Sequence, residues 1–176
     1  MLLGVAWLLP PEGLLPAGRL TGPAVVVDGD TLRLGEDRVR LAGIDAPELA
    51  QACTDAAGAS WPCGAEARRQ LARLIAARPV ACTPEDRDRY GRIVASCRAG
   101  DADLAAGIVA AGLAVATDGY GSEERAARAA KRGIWAGSFA QPADWRREQT
   151  SENADGGGRP SRIELFVEWL LDGFNR

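Results

Sequence analysis

Apolar and polar residues alternate near the start of the chain with a period of two, which is typical of strands that bury one face. A β-branched run at residues 24–27 ends at a turn over residues 28–30, and the alternation resumes at residues 31–34. After a second turn, which contains glycine, it continues over residues 38–41. We therefore predict a meander of three strands joined by two short turns.

The middle of the chain combines two apolar runs with three segments of helical period. The runs at residues 79–82 and 93–97 flank a turn and predict a hairpin. Apolar residues spaced three and four positions apart predict helices at residues 65–77, 102–111 and 122–131. The resulting order, β-β-β-α-β-β-α-α, does not fit a parallel doubly wound sheet. It favours an α+β fold, a five-stranded OB-fold barrel with three helices.

The two ends of the chain differ from this pattern, and we predict four regions. Residues 1–21 are apolar and contain prolines, which predicts either a signal peptide or an apolar tail, although no basic residue precedes the apolar run. Residues 22–146 form the barrel domain, and the polar, glycine-containing stretch 147–161 is a flexible linker. Residues 162–175 predict an amphipathic C-terminal helix that either packs on the domain or docks a partner. No stable protein partner is implied, and we expect a monomer.

Histidine is absent from all 176 residues. Its absence excludes Ser-His-Asp hydrolysis, a histidine-ligated zinc ion and a histidine general base. Proton transfer must therefore fall to a carboxylate, a tyrosine, an arginine or metal-bound water. The net charge of −3 argues against a protein coated in nucleic acid, but it allows an enzyme whose cleft is locally basic.

The four cysteines bear on the compartment. Their number is even and no pair has the spacing of a zinc site, so disulfides and an oxidising compartment are expected. Among the possible pairings we favour Cys53–Cys63 and Cys82–Cys97, because the second would link the two strands of the predicted hairpin. The protein would then be periplasmic or secreted. If the four cysteines are free thiols instead, a cytoplasmic location follows.

Charged residues are concentrated in three short segments, at residues 28–31, 40–48 and 88–92. Each segment is ordinary on its own, as a turn, an edge strand or a hairpin tip. In the first two segments, Asp30 and Asp45 offer hard oxygen ligands suited to Ca²⁺ or a similar cation. The backbone carbonyl of Ala46 can add a third oxygen, since Pro47 favours an extended conformation for the residue before it. Together these oxygens predict a site for one hard divalent ion.

The same segments supply the other groups that phosphodiester hydrolysis needs. Glu48 follows Asp45 by three positions, near enough to act on a water molecule beside the same cation. Arg40 and Arg92 can each form bidentate contacts with a phosphate. A cation, a positioned water molecule, a base and fixed positive charge together predict a metal-dependent phosphodiesterase.

These segments resemble the staphylococcal nuclease (thermonuclease) family from Pro23 to Trp135. The Asp-Gly-Asp-Thr turn, the run from Arg40 to Glu48 and the Asp-Arg-Tyr-Gly-Arg hairpin occur in the order that the family has. The resemblance implies a nuclease-like OB fold and a Ca²⁺-dependent endonuclease that cuts DNA and RNA and leaves 3′-phosphate ends. It implies metal ligands at Asp30, Asp45 and the Ala46 carbonyl, catalytic residues Arg40, Glu48 and Arg92, and substrate contacts from Arg89, Tyr90 and Tyr120.

One departure and two alternatives accompany this interpretation. Asp118 stands where the family has a tyrosine, which implies weaker stacking on a nucleotide base. The main alternative is a catalytically inactive nuclease-like barrel that binds nucleic acid or a peptide. Such modules lack some of the acidic and arginine positions, whereas this chain has all of them. A structural exported domain would explain the cysteines but not the charged residues.

Overall fold

The computed structural model describes residues 18–155, and side chains as far as Ser151. The strands are β1 (Leu20–Gly22), β2 (Ala24–Val26), β3 (Thr31–Leu34), β4 (Asp37–Leu41), β5 (Ile44–Asp45), β6 (Cys53–Thr54), β7 (Ser60–Trp61), β8 (Val80–Arg87), β9 (Ile93–Ala99), β10 (Ala102–Asp103) and β11 (Val115–Ala116). The helices are α1 (Cys63–Ile75), α2 (Leu104–Ala110), α3 (Gly121–Ala129) and α4 (Pro142–Asp155), and a 3-10 turn covers Gly133–Ala136.

The main sheet closes on itself because one stretch of chain supplies both of its outer strands. Its order is β1-β8-β9-β4-β3-β2, in which β4 and β9 are parallel and the other neighbours are antiparallel. Only Pro23 separates β1 from β2, and its missing N–H interrupts the ladder at this point. β1 therefore pairs with β8, whereas β2 pairs with β3. With β1 and β2 counted as one bent strand, the sheet is a five-stranded OB-type barrel, which confirms the predicted α+β fold.

Alternating strand residues fill the barrel, as the period of two predicted. Leu32, Val39 and Ile93 are buried in one apolar cluster. Ala67 and Leu71 lie four positions apart on α1 and are completely buried in the same cluster. The core therefore fixes both the strands that precede the charged segments and the helix that packs beside them.

Two disulfides connect the cysteines in the same pairs that the sequence favoured. Cys82 and Cys97 lie directly opposite each other on β8 and β9, with their Cα atoms 4.1 Å apart. Cys53 and Cys63 join β6 to the start of α1, where Trp61 and Ile134 pack around them. None of the four is a free thiol, so the alternative of a reduced protein is wrong and the disulfides favour an extracellular or periplasmic location.

The linker predicted at residues 147–161 is wrong in its first part, because α4 continues to Asp155. Pro142 suits the first turn of a helix, and the following Arg, Glu and Gln residues are good helix formers. The residues of α4 form no apolar stripe along the helix. Because the segment is polar on all sides, its composition resembles that of a linker. The remaining residues of the predicted linker lie outside the described residues, as does the predicted helix at residues 162–175.

The start of the barrel also differs from its predicted boundary at residue 22. β1 begins at Leu20, so the last two residues assigned to the N-terminal segment belong to the sheet. The rest of that segment, up to residue 17, lies outside the described residues. The chain divides after Pro142 into two compact units, of which the first carries the barrel. No helix between residues 18 and 155 combines the length and the apolar character that a membrane span requires.

Candidate active site

The turn before β3 holds Asp30 in a buried position. The backbone N–H of Asp30 donates to Oδ1 of Asp28 at 3.0 Å, which is a local bond typical of aspartate in turns. Gly29 lies between Ala46 and Ala67, and a Cβ atom at this glycine would be 2.7 Å from the Cβ atoms of both residues. The turn is therefore pressed against the loop after β5 and against α1.

Arg40 links the two aspartates that the sequence assigned to a metal ion. Its Nη1 atom lies 2.9 Å from Oδ1 and 2.8 Å from Oδ2 of Asp30. Its Nη2 atom lies 2.7 Å from Oδ1 of Asp45 and donates to the carbonyl of Ile44 at 3.2 Å. Arg40 is opposite Thr31 in the β3–β4 pair, and this register brings the guanidinium beside the turn.

Ala46 lies in the same cluster. Its N–H donates to Oδ2 of Asp30 at 3.2 Å, and the residue is buried. Burial raises the pKa of Asp30 to about 7, against the lowering effect of Arg40, while the nearby Asp28 raises the pKa further. The pocket therefore favours additional positive charge beside Asp30.

The oxygen atoms of this cluster fit a hard cation. When both carboxyl groups are ionised, Asp30 and Asp45 carry two negative charges and Arg40 carries one positive charge, which leaves one net negative charge. Carboxylates and backbone carbonyls are the ligands that Ca²⁺ prefers. Between residues 18 and 155, no group of three or more acidic, cysteine or histidine side chains is arranged to hold a metal ion. A cation here would depend on the two aspartates together with backbone oxygen and water.

The hairpin between β8 and β9 brings Arg92 to the same cluster. Oδ1 of Asp88 accepts the N–H groups of Tyr90 and Arg92, each at 2.9 Å, and Oδ2 accepts from Nε of Arg92 at 2.7 Å. Partial burial acts to raise the pKa of Asp88, but the hydrogen bonds from Arg92 prevail and lower it. Asp88 thus holds both the turn and the guanidinium of Arg92.

Thr31 connects Arg92 to the aspartate cluster. Its hydroxyl donates to Oδ1 of Asp30 at 3.0 Å and accepts from Nη1 of Arg92 at 3.3 Å. The threonine is completely buried, so the hydroxyl has little choice of partner. A continuous chain of polar contacts therefore runs from Arg92 through Thr31, Asp30 and Arg40 to Asp45.

Glu48 is half-buried on the irregular loop that follows β5. Its N–H donates to the side-chain Oε1 of Gln51 at 3.2 Å, and its carbonyl accepts from the N–H of Gln51 at 2.7 Å. A Cβ atom at Gly64 would lie 1.7 Å from the Glu48 carbonyl oxygen. The start of α1 therefore packs closely against the backbone of Glu48.

The predicted substrate contacts occupy two places. Tyr90 is 69% exposed at the hairpin tip, and the Arg89 guanidinium lies 4.9 Å from its ring centre. Tyr120 is half-buried just before α3, where burial and then Asp103, which accepts a hydrogen bond from its hydroxyl, raise its pKa. Its ring packs beside Gly43, in the segment between Arg40 and Asp45.

Sequence reasoning gave no role to three residues that support this site. Thr31 and Asp88 belong to the recognised motifs, but only other residues of those motifs were assigned a function. Gln51 lies outside every motif, and nothing in its local sequence signals its buried position. Its role becomes visible only in the contacts with Glu48.

Comparisons with known proteins show the family to which the chain is similar. The family described as staphylococcal nuclease homologue matches residues 38–137. The "Succinoglycan biosynthesis protein ExoI" of Rhizobium meliloti (strain 1021) is 41% identical over 138 residues, which covers 74% of this chain and 72% of that protein. The "Micrococcal nuclease" of Shigella flexneri is 35% identical over 151 residues, which covers 73% of this chain and 80% of that protein.

A plant relative matches about two thirds of this chain within a longer protein. The "Probable staphylococcal-like nuclease CAN2" of Oryza sativa subsp. japonica is 34% identical over 125 residues, which covers 67% of this chain but 31% of the rice protein. The family match extends over more than half of this chain and includes Arg40, Asp45, Glu48 and Arg92. This chain therefore belongs to the staphylococcal nuclease homologue family.

Proposed function

We propose that the protein is a Ca²⁺-dependent endonuclease that hydrolyses DNA and RNA without strong sequence specificity and leaves 3′-phosphate ends. The observation that carries the proposal is the chain of contacts that joins Asp30, Arg40 and Asp45 to Arg92 through Thr31. It combines two buried carboxylates for a cation with two arginines for a phosphate. The family membership and the relatives named as nucleases support the same reaction class.

Asp30, Asp45 and the Ala46 carbonyl would hold the cation. When bound, Ca²⁺ supplies Lewis-acid stabilisation of the phosphoryl oxygens. Its charge would also satisfy the carboxylates that Arg40 now neutralises in part. The guanidinium of Arg40 can then direct hydrogen bonds toward a substrate phosphate while it stays close to Asp30.

Arg40, on β4, and Arg92, in the hairpin between β8 and β9, would clamp the scissile phosphate from two sides. Their side chains are only 19% and 20% exposed, so water screens their charge less than it screens that of a surface arginine. Asp88 fixes Arg92 through Nε, while the terminal nitrogen Nη1 donates to Thr31 beside the cluster. Both arginines would stabilise the negative charge that develops on the phosphate oxygens.

Glu48 would accept the proton of the attacking water molecule, or at least orient that water. The water oxygen forms a bond to phosphorus as the P–O5′ bond breaks. The leaving O5′ gains a proton and becomes a hydroxyl group, and the phosphate stays on the 3′ side. Arg89 and Tyr90 would bind a neighbouring phosphate at the exposed tip, and Tyr120 would contact a base near Gly43.

The two disulfides support a periplasmic or secreted enzyme. Extracellular fluids contain free Ca²⁺ at concentrations that a site of modest affinity can use, and modest affinity follows from a site with two side-chain carboxylates. The proposed location and the proposed cofactor are therefore compatible.

The proposal is tested by degradation of plasmid DNA and of RNA with Ca²⁺, with EDTA, and with Glu48→Gln. We expect EDTA to abolish cleavage and Glu48→Gln to reduce it by orders of magnitude. Glu36→Gln, at an exposed turn, is the matched control and keeps the wild-type rate. Full activity of Glu48→Gln would contradict the role given to this carboxylate.

The same assay distinguishes the alternative of a nucleic-acid- or peptide-binding module. An inactive barrel would cleave neither substrate with any divalent ion and would still retain DNA in a filter-binding measurement. End-labelled products identify which phosphodiester bond is broken. Cleavage of the P–O5′ bond leaves 3′-phosphate ends, which a polymerase can extend only after treatment with a 3′-phosphatase.

A further inference from the structure

Gln51 is a buried polar residue that the catalytic roles described above do not use. It is 0% exposed, and the other buried polar or charged residues between residues 18 and 155 are Asp30, Thr31 and Asp45, all within the candidate active site. Burying an amide side chain without hydrogen bonds is unfavourable, so its two polar atoms are expected to have specific partners. Those partners identify what the residue holds in place.

Both backbone groups of Glu48 bond to Gln51. The Glu48 N–H donates to Oε1 of Gln51 at 3.2 Å, and the N–H of Gln51 donates to the Glu48 carbonyl at 2.7 Å. Pro47, just before Glu48, is buried and has a fixed φ angle. The position of the Glu48 backbone is therefore determined on both sides of its Cα atom.

The other end of the Gln51 amide bonds to a distant part of the chain. Its Nε2 atom donates to the carbonyl of Ala140 at 2.7 Å, across a sequence separation of 89 residues. Nearby, Thr54 and Ser138 exchange two backbone hydrogen bonds of 2.8 and 3.0 Å, and Cys53 is bonded to Cys63. Gln51 thus ties the Glu48 loop to a framework that a disulfide and a short ladder already stabilise.

A loop that carries a proton acceptor needs such support, because the residues from 46 to 52 belong to no strand or helix. Catalytic groups must be held to within about 0.5 Å of their productive geometry, and irregular loops do not provide this without supporting hydrogen bonds. We propose that Gln51 is a positioning residue, whose buried amide fixes the backbone of Glu48 and so places its carboxylate for reaction. This inference rests on the proposed nuclease activity.

The test compares Gln51→Met with Gln141→Met. Methionine has a length and volume close to those of glutamine but forms neither side-chain hydrogen bond, and Gln141 is an exposed glutamine next to Ala140. Both variants are assayed with DNA in excess Ca²⁺, below their unfolding temperatures, for kcat, KM and the Ca²⁺ concentration that gives half the maximal rate.

We expect Gln51→Met to lower kcat by about 100-fold, which is the size of effect that a displacement of about 1 Å produces. KM and the half-saturating Ca²⁺ concentration stay close to wild type, because Gln51 touches neither the arginines nor the aspartates. Gln141→Met keeps all three wild-type values. A folded Gln51→Met protein with the wild-type kcat would overturn the inference.

A double variant separates positioning from a general loss of packing. In the presence of Glu48→Gln, the further change Gln51→Met should lower kcat no further, because the carboxylate that it would displace is already missing. An additive loss would assign Gln51 a structural role alone. If Gln51→Met does not fold, Gln51→Asn takes its place, since its shorter amide stays polar but cannot reach both the Glu48 N–H and the Ala140 carbonyl. It should lower kcat, and a wild-type kcat would again overturn the inference.

These outcomes differ from a failure of the proposed function. If the wild-type protein cleaves no nucleic acid, the proposed activity is wrong. If the wild type cleaves, Glu48→Gln does not, and the Gln51 variants cleave at the wild-type rate, then the positioning role alone is wrong.

Discussion

The guanidinium of Arg40 contacts both carboxylate oxygens of Asp30 through a single nitrogen atom, at 2.9 and 2.8 Å. Its second terminal nitrogen is thereby left to bond to Asp45 and to the carbonyl of Ile44. One side chain therefore joins the two carboxylates of the proposed cation site. This geometry depends on the planar, forked shape of arginine.

Replacement of Arg40 by lysine should accordingly reduce catalysis far more than the conservation of charge suggests. A lysine ammonium is a point charge and cannot reproduce the forked contacts with Asp30, Asp45 and a phosphate. We expect kcat of Arg40→Lys to fall by about 100- to 1,000-fold, as for the loss of one donor to transition-state charge. Arg38→Lys, on the exposed side of the same strand, is the control in a steady-state assay of DNA hydrolysis and should match wild type.

Removal of the cation should lower stability in a way that depends on Asp45. A ligand that binds only the folded state at 100 times its dissociation constant stabilises it by about 2.7 kcal/mol. We therefore expect Ca²⁺ to raise the unfolding temperature of the wild type and EDTA to reverse this. In Asp45→Asn the Ca²⁺ effect should be lost, whereas the exposed Asp37→Asn should retain it. An equal response of all three proteins in differential scanning calorimetry would exclude Asp45 as a ligand.

The two disulfides should have different effects on activity. The Cys82–Cys97 bridge closes a loop of 15 residues, and its removal is expected to cost about 3 kcal/mol in the chain-entropy model. The Cys53–Cys63 bridge lies beside the loop of Gln51 and Glu48. We expect alanine at both Cys82 and Cys97 to lower the unfolding temperature but to preserve kcat when it is measured well below that temperature. Alanine at both Cys53 and Cys63 should lower kcat as well as the unfolding temperature. Equal kcat values for the two double variants would contradict this expectation.

The kind of contact that a residue makes decides whether the sequence could predict its place in the candidate site. The grouping of Asp30, Arg40, Asp45 and Arg92 could be predicted, because their charges stand in short motifs on or beside strands whose period is clear. Gln51 could not, because its role depends on Ala140, which is 89 residues away. Local patterns report on local structure, and they carry no signal for such a pairing.

The strands of the barrel could likewise be predicted from the sequence, but the way in which the barrel closes could not. The strands at residues 31–34 and 38–41 followed from alternation, and the structure contains both as β3 and β4. Closure depends on Pro23, which divides one bent strand so that its halves pair with β8 and with β3. In a sequence, proline usually indicates a loop and not the middle of a strand. The polar helix α4 was missed because it has no apolar stripe, which is the pattern by which a helix is recognised in a sequence.

Gly29 should tolerate no side chain, because its turn is pressed between two other segments. A Cβ atom there would lie 2.7 Å from the Cβ atoms of Ala46 and Ala67, which is closer than real Cβ contacts. We expect Gly29→Ala to lower the free energy of unfolding by about 1–3 kcal/mol through overpacking. It should also weaken Ca²⁺ binding, since Ala46 must move. Gly22→Ala meets no atom within 4 Å and serves as the control in urea unfolding and Ca²⁺ titration.

The hairpin tip should stabilise the protein in a pH-dependent manner through Asp88. Hydrogen bonds from Arg92 lower the pKa of this carboxyl in the folded state below its ordinary value of 3.8, although partial burial acts in the opposite direction. A carboxyl whose pKa is lower in the folded state stabilises the protein above its unfolded pKa, and this contribution is lost as the pH falls through the folded pKa. The stabilisation should therefore be complete near neutral pH, begin to fall as the pH approaches 3.8, and be lost as the pH falls through the lower pKa of the folded state.

Asp88→Asn isolates this contribution. At pH 7 we expect it to lower the free energy of unfolding by an amount on the order of 1 kcal/mol, which is the typical net contribution of an intramolecular hydrogen bond. The difference from wild type should shrink as both proteins are unfolded by urea at successively lower pH. Asp101→Asn, at an exposed turn, gives no such trend. A difference that is constant between pH 7 and pH 3 would mean that Asp88 acts through the shape of the turn and not through its charge.

Since Asp88 also orients Nε of Arg92, the same substitution should lower kcat at pH 7, where the protein remains folded.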